Sequence, residues 1–186
     1  YQDVIAETYE LKSFSSLFDL ADYQHIVGEG CFPLTPVAAM LLLELSERIA
    51  QNERTIFTYI TSKDANGLAR IVEKSRTVDF VGVGSVFDYF VPLFRQDMQN
   101  GNHHKHEWLK ADYALSQTEN VEERVVIKTI SILHMVNRPD DLPASERFIV
   151  LATGMPKENV SKAITRLEER KLLEFKSRTG TYEFRN

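Results

Sequence analysis

Residues 142–185, LPASERFIVLATGMPKENVSKAITRLEERKLLEFKSRTGTYEFR, carry the order of signals that decides the fold. Residues 144–153 read as a short helix closed by Gly154. Met155-Pro156 then starts a second helix, with proline in the first turn, where its missing N–H costs nothing. In that second helix Val160, Ile164, Leu167 and Lys171 recur at i, i+4, i+7 and i+11, so three apolar side chains and one aliphatic stem share a face. Beyond Lys171 the period changes from helical to alternating, with Leu173, Phe175 and Ser177 set against Glu174, Lys176 and Arg178. A turn at 178–181 and a second alternating run at 182–185 complete a β-hairpin pattern. Helix, turn, helix and hairpin spell a winged helix-turn-helix that lacks only a supporting first helix.

That helix lies just upstream. Asn120 is placed to cap a helix over 121–137, in which Val126, Ile127, Ile130, Leu133 and Val136 line a broad apolar face. Arg124, Lys128 and Ser131 lie opposite, and Pro139 stops it. Further back, residues 104–116 read as a helix with Trp108, Leu109, Ala111, Tyr113 and Leu115. Ser85 is placed as the cap of another, carrying Val86, Phe87, Phe90, Leu93, Phe94 and Met98 and ended by Asn100-Gly101-Asn102. A short helical turn at 68–72 follows Asn66-Gly67. The apolar run 55–60 resumes after the polar tetrad Gln51-Asn52-Glu53-Arg54. Thr35-Pro36 supplies an N-cap and a first-turn proline for a helix reaching about residue 50. Val37, Ala38, Met40, Leu41, Leu42, Leu43, Leu45 and Ile49 make that helix apolar almost all round, which predicts burial at the centre of an N-terminal core. Residues 13–23 suggest one more helix, with Phe14, Leu17, Phe18 and Ala21 on a face and Gly28 and Gly30 breaking the chain after it. The expectation is a mainly α chain: a helical bundle at 1–118, then a winged helix-turn-helix with a small β-hairpin at 119–186.

Composition narrows the function classes. Of 186 residues, 43% are hydrophobic and 26% charged, ordinary for a globular protein with a real core. A net charge of −5 argues against a chain that coats nucleic acid over its whole surface, although one basic face can still exist. Cys31 is the single cysteine, so an intrachain disulfide and a Cys-based zinc site are both excluded. The longest apolar run, 37–43, is far too short to cross a bilayer, so no membrane partner is expected. With no charged-then-apolar leader at the start, a cytoplasmic location is expected, and the opening Tyr1 in place of Met suggests a piece of something larger. No G-x-x-x-x-G-K-[ST] occurs. Gly28-Glu29-Gly30 and Gly82-Val83-Gly84 lack the lysine and the following Ser/Thr that hold phosphate and magnesium.

Cys31-Phe32-Pro33-Leu34-Thr35-Pro36, Leu45-Ser46-Glu47-Arg48 and the run 51–60 (QNERTIFTYI) together resemble a segment of large bacterial ATP-binding proteins of the P-loop class. Residues 86–90 (VFDYF), 108–115 (WLKADYAL) and 128–130 (KTI) are similar to that family too, so the likeness covers most of the chain. One departure is Thr35-Pro36, where the family carries His-Pro. The resemblance implies a lid-like helical region plus winged helix of an ATPase whose catalytic core, with its ATP and Mg, lies elsewhere in the same parent chain. This chain would then be non-catalytic, with no cofactor of its own.

Several residues invite a functional reading, each with a plainer one beside it. Within a lid domain, Arg54 at a helix end could reach a γ-phosphate held by the core, its guanidinium fork matching phosphate oxygens; otherwise it makes a structural ion pair. The helix over 157–170 invites DNA recognition through Lys157, Lys162 and Arg166, yet Glu158 and Glu169 share its outer side. Lys176, Arg178 and Arg185 on the hairpin are the better phosphate contacts. Residues 155–186 hold eight basic and five acidic residues, a net of +3. The competing reading makes these charges the solvated face of a protein-docking module. A self-contained DNA-binding regulator, with 1–118 sensing or dimerising, is the alternative to the ATPase fragment, and a docking scaffold is a third. His103, His104 and His106 look like metal ligands, but no fourth ligand stands at a sensible spacing. His134 borders the apolar face of its helix and reads as a core histidine. Cys31 reads as a small buried residue, and Phe87, Phe90, Phe94 and Trp108, at helical spacing without interleaved cations, read as core.

Overall fold

A computed structural model describes residues 1–48, 56–77, 79–96 and 103–185, the side chain of His103 excepted. Ile49, the tetrad Gln51-Asn52-Glu53-Arg54, Met98 and Asn100-Gly101-Asn102 therefore fall outside the described residues. The described chain is mainly helical and ends in a two-stranded antiparallel sheet. The N-terminal helices are α1 (Gln2–Tyr9), α2 (Lys12–Ser15) and α3 (Leu20–Asp22), continued by a π-helical segment Tyr23–Glu29. Then come α4 (Pro36–Arg48), α5 (Ile56–Thr61), α6 (Leu68–Lys74), α7 (Val83–Gln96) and α8 (His103–Ser116). Last are α9 (Val121–Val136), α10 (Glu146–Thr153), α11 (Lys157–Glu169), β1 (Leu173–Lys176) and β2 (Thr181–Phe184).

Most boundaries follow from local chemistry. The Thr35 hydroxyl accepts from the Ala38 N–H at 3.1 Å and so caps α4, the Asn120 carbonyl oxygen accepts from Glu123 N–H at 3.0 Å, and the Ser145 hydroxyl accepts from Phe148 N–H at 3.3 Å. Gly154, at φ +70°, closes α10 in the left-handed conformation that spares it a Cβ clash. Asn137, at φ 51°, ends α9 in the same way, two residues before Pro139 can act as the stop. Replacing Asn120 with Ala is expected to cost about 1 kcal/mol of stability, measured by urea unfolding, because it orphans a first-turn N–H.

Three expectations fail in the N-terminal half. The helix foreseen over 13–23 is split into α2 and α3, and Leu17 is 66% exposed. Instead Tyr23 and Phe14 turn inward, and the Tyr23 hydroxyl donates to the Ile5 carbonyl at 2.7 Å, so the segment folds back on α1. Gly28 does not break the chain: the π-helical segment runs through it, against Ile5. Ser85 is likewise no cap, since α7 already begins at Val83. Its hydroxyl donates to the Gly82 carbonyl at 3.0 Å and meets the Tyr59 hydroxyl at 2.8 Å.

α9 organises the rest. It packs against α4, α7, α8, α10 and α11, and from Val126 to Val136 only Lys128 and His134 are not fully buried. Ser131, placed by periodicity on the polar side, is buried because α9 is enclosed on that side as well. One apolar cluster runs from Ile5 to Phe184, crossing position 118 without a gap. α4 buries Val37, Ala38, Leu41, Leu42 and Leu45 completely, while Leu43 stays 47% exposed. None of the helices, among the described residues, is long and apolar enough to cross a membrane.

Candidate functional site

The C-terminal elements are built on α9. α11 buries Val160, Ala163, Ile164 and Leu167 against it and presents Glu158, Lys162, Thr165 and Glu169 to solvent. Leu173↔Phe184 and Lys176↔Thr181 set the hairpin register. On its other side β2 is held by Tyr182 N–H donating to the Ala144 carbonyl at 2.8 Å, and the His134 ring meets the Tyr182 carbonyl at 2.7 Å. Alternation along β1 is only half realised: Leu173 is buried, but Phe175, nearer the tip, is 46% exposed and meets the Tyr182 ring at a tilt of 49°.

The foreseen basic residues do not form one patch. Lys157 is exposed at the start of α11 and lines a groove of about 660 Å³ with Asp3 and Glu7 of α1 and Val150 and Leu151 of α10. Lys162 is exposed on the outer face of α11. Arg166 is turned inward, its Nε donating to Glu123 at 2.8 Å and its Nη2 to Glu122 at 3.4 Å. Lys176 lies between Glu174 at 3.0 Å and Glu183 at 3.9 Å, and that contact holds the Glu174 carboxyl below its ordinary range. Arg178 sits in the hairpin turn, exposed over a cavity of about 530 Å³ floored by Leu133, Leu142 and Ala144. Arg185 follows Phe184 at the other end of the hairpin, a strand length of roughly 13 Å from the turn at 3.3 Å per residue. Arg54 lies outside the described residues.

A constellation that sequence reading did not single out stands at the α8–α9 turn. Glu123 is 3% exposed, and its carboxylate accepts from the Thr118 hydroxyl, Arg166 Nε and Arg170 Nη1, the last at 3.0 Å. Arg170 also donates to the Gln117 carbonyl. Burial acts to raise the Glu123 carboxyl, but the Thr118 hydroxyl and the two guanidinium groups outweigh it and hold the group below the usual carboxylate range. A signal existed in Asn120-x-x-Glu123, the pattern of a reciprocal helix cap. Instead of returning to the Asn120 N–H, which donates to the Thr118 hydroxyl at 3.1 Å, the carboxylate reaches across to α11.

A second cleft, about 440 Å³, lies among α7, α8 and α9 and gathers residues from three separate stretches: Asp88, Trp108, Asp112 and Lys128. Asp88, Lys128 and Arg124 are satisfied from within. Lys128 pairs with Asp88 at 2.7 Å, and Arg124 donates to the Leu115 and Thr118 carbonyls at 2.8 and 2.9 Å. His104 is half-buried and His106 exposed; among the described residues no group of three or more His, Cys, Asp or Glu side chains is arranged to hold a metal ion. Burial pushes the Cys31 thiol above its ordinary value, the wrong direction for a nucleophile. Comparison with protein-family models, curated proteins and solved structures gave no match.

Proposed function

We propose that residues 121–185 form a winged helix-turn-helix, with α9 as its supporting helix, α10 and α11 as the paired helices and β1–β2 as the wing. On this reading the chain is the non-catalytic C-terminal region of a larger P-loop ATPase. It passes the state of an ATP- and Mg-bearing core, carried in the same parent chain, to a protein partner docked on α11 and the wing. The observation that carries it is the placement of α9, which packs against the helical base and against α10 and α11 together. A helix shared in this way makes the C-terminal elements follow any movement of the base. Protein docking is preferred to groove reading because Arg166 is committed to Glu122 and Glu123, while Glu158 and Glu169 remain on the solvent side of α11.

Two measurements test this. Titration calorimetry with ATP and Mg is expected to show no binding by the chain alone, and micromolar affinity would overturn the division between core and lid. The reading frame preceding Tyr1 is expected to encode a P-loop; a complete frame without one removes the ATPase reading. The DNA-binding alternative draws on the exposure of Lys157, Lys162 and Arg178. If four phosphates were neutralised, affinity for duplex DNA would fall about a hundredfold between 50 and 200 mM salt. The docking reading expects no gel shift even at the lower salt.

A further inference from the structure

A line of close contacts joins α5 to the turn between α10 and α11. The fully buried Tyr59 of α5 shares a hydrogen bond of 2.8 Å with Ser85, whose hydroxyl donates at 3.0 Å to the Gly82 carbonyl. Gly82 touches the C-terminal end of α10 so closely that a Cβ there would stand 2.7 Å from the Thr153 carbonyl oxygen and 3.0 Å from Thr153 Cα. Both are backbone atoms, so no rotamer change relieves the clash. Beside it, Val81 N–H donates to the Pro33 carbonyl at 2.8 Å and Thr35 N–H to the Val81 carbonyl at 3.1 Å. Thr35 then closes the seam. It is fully buried, and the hydroxyl that caps α4 also donates to the Ala152 carbonyl of α10 at 2.9 Å. On the far side Gly154 lies against Phe80 and the Thr35 methyl group, where an added Cβ would sit 3.1 and 3.3 Å away.

We propose that this seam, Tyr59–Ser85–Gly82 with Thr35 bridging α4 to α10, is the coupling path by which displacement of α5 is passed to α11. The inference deepens the function proposed above, since α5 begins two residues after Arg54, the side chain that the sequence offers for a γ-phosphate of the core. Its physical basis is the absence of slack: backbone meets backbone at Gly82, and the end of α10 that leads into α11 is pinned by a hydroxyl with two simultaneous partners. Thr35 and Gly82 are positioning residues here.

The test uses the full chain with Cys31→Ser and spin labels at Phe57→Cys on α5 and Lys162→Cys on α11, both exposed positions. The parent and Thr35→Ser, which retains the hydroxyl, are expected to give one narrow inter-label distance. Thr35→Val and Gly82→Ala are expected to broaden or split it while helical circular dichroism is retained. If Thr35→Val does not fold, Tyr59→Phe, which removes one hydroxyl from the same line, is read in its place. Distances as narrow in the loosening variants as in the parent would overturn the proposal. So would equal broadening by Thr35→Ser, because the hydroxyl would then be irrelevant. No nucleotide or partner enters the measurement, so the seam can fail while the proposed function stands, and the reverse.

Discussion

A chain ending at Thr118 is expected to show no cooperative thermal transition, although it retains every helix of the N-terminal bundle. α4, α7 and α8 all pack on α9, and the cut removes Val126, Ile127, Ile130, Leu133 and Val136, each at most 2% exposed. At about 1.5–3 kcal/mol for each buried aliphatic side chain, five of them contribute roughly 10 kcal/mol. That is comparable to the whole stability of a domain, about 5–15 kcal/mol. What remains would expose an apolar trough and populate collapsed or aggregated states. Far-UV circular dichroism against temperature decides it: a sharp melt of residues 1–118 would show that the bundle closes its core without α9, contrary to the packing. The same chain extended to Val136 is expected to recover part of the transition.

Replacing Glu123 by Gln is expected to be the most damaging single change to the C-terminal elements. The carboxylate is buried, and its three hydrogen bonds tie the α8–α9 turn to α11. Removing one partner of a buried ion pair costs about 3–5 kcal/mol. Arg166 and Arg170 are 39% and 43% exposed, so solvent rehydrates them in part and the expected loss is nearer roughly 2–3 kcal/mol. The effect has a pH signature of fixed sign. Glu123 is held below the ordinary carboxylate range in the folded protein. Its contribution is therefore complete above the unfolded value, about pH 4.3, and is lost as pH falls through the lower folded value. Urea unfolding of parent and Glu123→Gln should show the full stability gap at pH 7 and a shrinking one in acid. A gap of constant size from pH 7 to pH 3 would mean that the carboxylate charge is not what holds α11.

The first expectation rests on residues whose pattern the sequence marks, the second on one it does not. Val126 to Val136 read as a helix with a broad apolar face, whereas nothing in the sequence reading singles out Glu123. The helix itself was legible because a cap and an i, i+4 pattern act within four residues of chain. Its enclosure was not, because which helices come to lie around it depends on chain far away. Ser131 shows the limit: a polar residue opposite the apolar stripe reads as solvent-facing until a second layer covers it.

The basic surface teaches the same lesson about site residues. Lys162 and Arg166 stand four positions apart on one helix, yet one faces solvent and the other is spent on α9. Arg178 and Arg185, close together in the chain, end at opposite ends of the hairpin, because the extended strand between them runs its whole length. Phe175 stays 46% exposed although Tyr182, its partner in the register, is buried, so strand alternation alone does not decide which ring is covered.

What the sequence determined by itself was local. Thr35, Asn120 and Ser145 start helices, Gly154 ends one, and the change of period after Lys171 makes a hairpin, since each depends on backbone groups a few residues apart. The tertiary structure alone decided that α9 would serve both halves, that Glu123 would leave its own cap for Arg166 and Arg170, and that the Thr35 hydroxyl would carry a second bond to Ala152. Those outcomes turn on charge and shape meeting across as many as 117 positions of chain, and a linear pattern contains no term for that distance.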